Sequence, residues 1–153
     1  MSDLEIVIGD DFQVSESIIT TFYLDYKGYC FPDNKWIDFT EAILSAWTNT
    51  LFKNRNVSDA YFRLNFMDGP FWLDVAKNQN MQLTIDCIND RQNRFSELQF
   101  IISYQEFLSV LYKAYKSLNR ILYETGRSKD RFEATYNYTI TSMKQLKQEI
   151  QIL

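Results

Sequence analysis

The chain has 153 residues, of which 46% are hydrophobic and 24% charged, and its net charge is −4. This length and composition are ordinary for one globular domain, and they exclude a disordered or fibrous chain. We therefore expect a single domain over residues 1–153.

The first part of the sequence predicts two strands followed by a helix. Leu4 to Ile8 alternates apolar and polar residues, and residues 17–26 are rich in Ile, Thr, Phe and Tyr, which favour strands. After an aromatic loop that contains proline, Asp38 and Glu41 have the spacing of a capping box at a helix start. Apolar residues then recur at helical spacing until about Lys53.

The centre of the chain predicts an antiparallel meander. Alternating apolar residues begin at Phe62, resume at Phe71 after the turn signal of residues 68–70, and continue from Met81. A further strand is predicted from Phe95 to Ile102. Short turns joining four such strands indicate a sheet with one covered face and one wet face.

Two amphipathic helices are predicted at the end of the chain, over residues 106–125 and after Ser128. Gly126 suits the left-handed conformation that ends a helix, and the short link predicts an antiparallel hairpin. The predicted fold is therefore α+β: an antiparallel meander of five or six strands, one helix after the second strand, and a C-terminal helical hairpin packed on the sheet. These last helices leave open a homo-oligomer.

Residue types that carry common chemistry are scarce. Histidine is absent, which removes the commonest general base and metal ligand. The two cysteines are far apart, and the four glycines form no phosphate-binding loop. We therefore predict no catalytic residue, no metal and no cofactor, and we expect that the chain is not an enzyme. The alternative is a carboxylate pair from the aspartates in or beside the sheet, although two of these fall on its polar face, where solvated side chains are expected. The four aspartates are Asp68, Asp74, Asp86 and Asp90.

The cellular compartment is predicted from apolar segments and cysteines. No segment approaches the ~20 apolar residues that span a bilayer, and residues 1–5 lack the features of a signal peptide. Cys30 and Cys87 have apolar neighbours, as reduced and buried thiols do. These features predict a cytoplasmic protein with no membrane partner.

Two tryptophans and an acidic amino-terminal segment form the candidate interaction surface. Residues 1–26 carry acidic side chains and no basic one, so they could face a basic partner. Exposed Trp side chains often anchor protein interfaces. We therefore take as the candidate surface Asp33, Trp36, Asp68 and Trp72. The alternatives are core packing for the aromatic side chains and simple solvation for the acidic ones.

Basic residues are interleaved with tyrosines in the predicted C-terminal helices. Lys113, Lys116 and Arg120 share one helical side. One alternative for this set is an RNA-binding surface of a nucleic-acid accessory protein. Such a set usually forms a solvated face, however, and the net acidity of the chain argues against phosphate binding. We do not expect nucleic acid as the partner.

One stretch of the sequence resembles a known group of proteins. It is Tyr29-Cys30-Phe31-Pro32-Asp33-Asn34-Lys35-Trp36-Ile37-Asp38-Phe39, followed by a Trp-bearing helix and by Phe66-Met67-Asp68-Gly69-Pro70-Phe71. Over about residues 18–90 the chain resembles small Gram-positive bacterial proteins, some of them similar to the immunity proteins encoded beside polymorphic toxins. This resemblance carries no catalytic motif, and it implies a protein that binds and neutralises a partner.

Together these features predict a non-catalytic protein-interaction module, of the immunity type, with a protein as its partner. The alternative is a ligand-binding or enzymatic α+β domain with an aromatic-lined pocket between helix and sheet.

Overall fold

The computed structural model describes residues 2–11, 13–14, 17–67 and 69–152. The helices are α1 (Thr40–Lys53), α2 (Tyr104–Glu124) and α3 (Glu133–Ile152). The strands are β1 (Leu4–Ile8), β2 (Gln13–Val14), β3 (Ile18–Tyr26), β4 (Tyr29–Phe31), β5 (Ile37–Phe39), β6 (Ala60–Asn65), β7 (Phe71–Lys77), β8 (Gln82–Asn89) and β9 (Phe95–Ser103).

The predicted fold class is confirmed. The chain is α+β, its strands pair antiparallel, a helix follows the early strands, and the C-terminal helices pack on the sheets through α2. The expectation of five or six strands in one sheet is wrong, because the described residues form two sheets, of five and four strands. β4 and β5 have three residues each, which is too short to show the two-residue period of a strand.

β3 organises the first sheet, since β1, β2, β4 and β5 all pair with it. Alternate side chains of β3 are buried, as expected when one face of a strand is covered. Among them, Phe22 packs edge-on against Trp47 of α1 at 5.8 Å and against Phe66 at 6.0 Å. These aromatic contacts join the first sheet to α1 and to the end of β6.

The second sheet is the predicted meander, in the order β6-β7-β8-β9. One face of it is buried in the core, and the other is not covered by any helix in the described part of the chain. The buried face carries apolar side chains such as Leu64, Leu73, Val75, Ile85 and Phe100. Both sheets and α2 therefore share one continuous hydrophobic core.

Local sequence signals explain where α2 begins and ends. Ser103 caps the helix, because its hydroxyl accepts a hydrogen bond from the Glu106 amide at 3.0 Å. Gly126 has φ of 75° and ends the helix as predicted. The amide of Arg127 donates to the Leu122 carbonyl at 2.7 Å, which is the closing bond of a Schellman motif.

The start of α1 differs from the prediction. Asp38 lies in β5 and is buried, and the residue before the helix is Phe39, whose side chain makes no cap bond. The Asp38 carboxylate instead accepts hydrogen bonds from the Trp36 indole at 3.0 Å and from the Met67 amide at 3.2 Å. The predicted capping box is therefore wrong, because a tertiary contact uses the side chain that would have capped the helix.

α3 lies antiparallel to α2, as the short link predicted. Asn119 donates to the Thr139 hydroxyl at 2.9 Å, and Gln105 donates to the Ile150 carbonyl at 3.0 Å. The helix begins later than expected, at Glu133. Ser128 lies in the preceding turn.

Two further observations concern the helices and the cysteines. Within the described ranges, no helix is long and apolar enough to cross a membrane. Cys30 is half-buried and Cys87 is buried, both are free thiols, and burial raises the pKa of each.

Candidate interaction surface

Among the three described residues of the predicted surface, the structure separates Trp72 from Asp33 and Trp36. Trp36 packs against Phe71, which points into the core. Trp72 follows Phe71 in the same strand, so its side chain lies on the opposite face of the sheet. Asp68 lies outside the described residues. Asp33 and Trp36 therefore belong to one part of the surface and Trp72 to another.

Trp36 has a structural role at its corner of the molecule. Its ring meets Phe71 edge-on at 5.0 Å, and its indole N–H donates to the buried Asp38. The ring also covers Gly69, where an added Cβ would lie 2.9 Å from it. The exposed Asp33 shapes the preceding turn by accepting a hydrogen bond from the Lys35 amide at 2.8 Å. These contacts fit the alternative of core packing for Trp36.

The uncovered side of the second sheet, which we call the outer face, consists of three rows of side chains that run across its four strands. The first row holds Tyr61, Ala76, Thr84 and Ile101; the second holds Arg63, Asp74, Asp86 and Gln99; the third holds Asn65, Trp72, Ile88 and Ser96. Four strands spaced about 4.8 Å apart make this face roughly 14 Å wide.

A cluster around Trp72 occupies the middle of the outer face. The Trp72 indole N–H donates to Asp74 at 3.1 Å. The guanidinium groups of Arg63 and Arg94 lie 4.1 and 5.0 Å from the centre of the indole. Both also form ion pairs with Asp74, at 3.4 and 3.2 Å. We call these four residues the tryptophan cluster.

The tryptophan cluster corrects the expectation that Asp74 is a solvated aspartate. Only 6% of Asp74 is exposed, and both of its carboxylate oxygens have donors. Asp86 lies directly opposite it across the strands, but Asp86 is held separately by Ser96 and Gln99, each at 3.0 Å. Asp74 and Asp86 are therefore neighbours with different hydrogen-bond donors. Together these hydrogen bonds order the side chains of the sheet surface.

Large exposed side chains lie at the two ends of the first row. Tyr61 is 70% exposed and Ile101 is 63% exposed, with the small Ala76 and Thr84 between them. Partial burial and the nearby Asp74 carboxylate raise the pKa of the Tyr61 hydroxyl. The row therefore presents two large exposed side chains beside the tryptophan cluster.

The acidic amino-terminal segment is partly neutralised within the chain. Asp3 pairs with Lys27 at 3.7 Å, and Asp10 pairs with Arg120 of α2 at 3.8 Å. Asp11 accepts hydrogen bonds from the amide and the hydroxyl of Thr21. These contacts leave less free negative charge for a basic partner than the sequence indicated.

A pocket of about 370 Å³ lies where β5 and α1 approach the start of α3. Phe39 and Phe132 line it together with Glu41 and Arg131. Burial raises the pKa of the Glu41 carboxyl. This pocket is the counterpart of the aromatic-lined pocket that the sequence left as an alternative.

Sequence reasoning named Trp72 and Asp74 separately but missed Arg63, Arg94 and the contacts that join the four residues. The pairing of Arg63 with Asp74 follows from the register of the β6-β7 hairpin, so it could have been found by counting outward from the turn. Arg94 comes from the loop after β8, and no local pattern indicates where it points.

Among the described residues, no group of three or more acidic or cysteine side chains is placed to hold a metal ion. Comparison with known protein families, curated proteins and solved structures found no match to this chain.

Proposed function

We propose that this chain is a non-catalytic, cytoplasmic protein-interaction module that binds a protein partner through its outer face. The observation that supports this most strongly is the tryptophan cluster, which places a half-buried Trp and two Arg at the centre of an uncovered sheet face. Trp, Tyr and Arg are the residues that most often dominate binding energy at protein interfaces.

The fixed arrangement of side chains in the tryptophan cluster favours binding. Asp74 holds both Arg side chains against the indole, so little side-chain entropy remains to be lost when a partner docks. Tyr61 and Ile101 add exposed apolar area beside the cluster. The tryptophan cluster and the neighbouring Asp86 together carry two Arg and two Asp, which favours a partner surface of mixed polarity.

We extend the proposal to an immunity-type role, in which binding neutralises the partner. This extension is supported by the resemblance of residues 18–90 to immunity-like proteins. The outer face is formed partly by that stretch, through β6, β7 and β8.

The first experiment uses two variants matched in residue type. Tyr61→Ala/Ile101→Ala removes exposed side chains from the outer face, while Tyr29→Ala/Ile37→Ala removes the same types, 44% and 42% exposed, from the first sheet. Affinity purification from native cells, with the retained proteins identified and quantified by mass spectrometry, compares them with the parent. We expect one stoichiometric partner that the outer-face variant loses and the control retains. Equal retention by both variants would remove the outer face from the proposal.

A second candidate function is binding of a small ligand in the pocket beside Glu41. The raised pKa of Glu41 supports it, because a carboxyl desolvated at a pocket is a common feature of ligand sites. Ala42 is exposed and lines the pocket, so Ala42→Trp should fill it. Native mass spectrometry of protein from its own cells would show a bound small molecule in the parent and none in Ala42→Trp.

The raised pKa of Glu41 also predicts a pH dependence of stability. In the folded state the pKa of Glu41 lies above its ordinary value of 4.5. The protonated carboxyl therefore contributes fully to the free energy of unfolding below pH 4.5, and this contribution is lost as pH rises through the folded pKa. Glu41→Gln should therefore be more stable than the parent at neutral pH and equal to it in acid. Urea unfolding at several pH values measures this, and parallel stability curves would show that Glu41 is not desolvated.

A further inference from the structure

A groove between α2 and α3 lies on the helical side of the molecule, away from the outer face. Its floor is formed by the half-buried side chains of Tyr112, Ile140 and Met143, around a concavity of about 270 Å³. A second concavity of about 570 Å³ adjoins it along α2, since Asn119 lines both. We call the two together the helical groove.

Four lysines form the rim of the helical groove. Lys144 and Lys147 line the first concavity, and Lys113 and Lys116 line the second. All four are exposed, and none of them forms an ion pair within the part of the chain that the structure describes. This concentration of uncompensated positive charge stands out in a chain whose net charge is −4.

Arg120 shows that carboxylates already approach this side of α2. It pairs with Asp10 at 3.8 Å and with Glu124 at 3.2 Å. Asp10 and Glu124 therefore engage Arg120, whereas no described carboxylate lies within ion-pair distance of the four lysines.

We infer that the helical groove binds a short acidic and amphipathic segment of a partner protein. Apolar side chains of the segment would lie on the floor, where Met143 can adapt to their shape. Its carboxylates would face the lysine rim. This surface is separate from the outer face, and the inference does not depend on the function proposed for that face.

The floor of the groove favours a peptide over single-stranded nucleic acid. Nucleic-acid sites of that kind offer aromatic rings on which bases stack. The Tyr112 ring is packed against the hydrophobic core, and its neighbours on the floor are aliphatic. Tyr123 is exposed, but it lies at the far end of the second concavity, three residues beyond Arg120.

Fluorescence anisotropy with the full chain tests this inference. The probe is a dye-labelled helical peptide with leucines along one face and glutamates elsewhere, compared with the same peptide carrying serines for leucines and with labelled oligothymidylate. We expect saturable binding of the leucine peptide, weaker binding of the serine peptide and none of the oligothymidylate. Charge reversal in Lys116→Glu/Lys144→Glu should weaken binding about tenfold or more. The control Lys35→Glu/Lys53→Glu changes net charge equally and should stay within about twofold of the parent.

Several results would overturn the inference. The first is that the leucine peptide shows no saturable binding, and the second is that both charge-reversed variants lose affinity equally. The third is that the serine peptide binds as tightly as the leucine peptide. The fourth is tight binding of oligothymidylate, which would indicate a nucleic-acid surface. Sedimentation as a dimer that Lys116→Glu/Lys144→Glu dissociates would assign the groove to a second copy of this chain. Tyr61→Ala/Ile101→Ala should leave peptide binding unchanged, which distinguishes this groove from the outer face.

Discussion

At the residue scale, Trp72 and Asp74 determine the character of the outer face. The carboxylate accepts from the indole and pairs with Arg63 and Arg94, so one buried acidic group orders three large side chains. A charged group with so little exposure is tolerated because it is fully paired and hydrogen-bonded. Sequence alone placed Trp72 beside a turn and Asp74 on the polar face of its strand, but it did not indicate that the two interact.

Asp74→Asn should destabilise the fold by about 2 kcal/mol, because it weakens charge-assisted hydrogen bonds in a partly desolvated site. The control is Asp86→Asn, which changes the directly opposite carboxylate, whose hydrogen-bond donors are neutral. It should change stability by about 0.5 kcal/mol or less. Urea unfolding compares the two, and an equal effect would contradict the ordering role given to Asp74.

Gly69 provides a second test at this scale. Its φ is +78°, and an added Cβ would lie 2.9 Å from the Trp36 ring, so Gly69→Ala combines backbone strain with a clash. Gly28 has φ of +90° and nothing within 4 Å of its added Cβ, so Gly28→Ala carries the strain alone. We expect Gly28→Ala to cost about 1 kcal/mol and Gly69→Ala clearly more. Equal losses in chemical denaturation would show that Trp36 does not cover this turn.

At the element scale, all of the second sheet was predictable, whereas of the first sheet only β1 and β3 were. β6 to β9 alternate clearly and are joined by short turns, so pattern and turn chemistry agree. β4 and β5 are short strands whose pairing with β3 is a tertiary effect. The same reason explains the error at α1, where the Asp38 side chain bonds to the Met67 amide, 29 residues away. Local pattern carries no information about such a contact.

α3 has the fewest buried residues of the three described helices, namely Thr139, Ser142 and Leu146. Leu146 is fully buried, so Leu146→Ala should weaken the docking of α3 by about 3 kcal/mol. Hydrogen exchange should then quicken in α3 amides more than in β7 and β8. Ile152→Ala, at a 66% exposed position, is the control and should leave exchange unchanged. Uniform quickening across the molecule would contradict a locally docked helix.

At the scale of the whole molecule, the two candidate surfaces lie on different layers. The outer face belongs to the second sheet, and the helical groove is formed by residues of α2 and α3. Charge is distributed unevenly between them, because the four lysines of the groove form no ion pair with any described residue, whereas the charges of the tryptophan cluster are paired. The composition predicted the acidic total, but only the fold shows that positive charge gathers along one groove.

Site-specific photo-crosslinking tests the central claim, that the outer face contacts a protein partner, most directly. Tyr61, the most exposed aromatic residue of that face, is replaced by p-benzoylphenylalanine in the full chain, and a matched control carries the same replacement at Tyr29 of the first sheet. Irradiation of native cells should join a single protein to position 61 and not to position 29, and adding Trp72→Ala should abolish the product. Crosslinking at position 29 alone, or at neither position, would contradict the account.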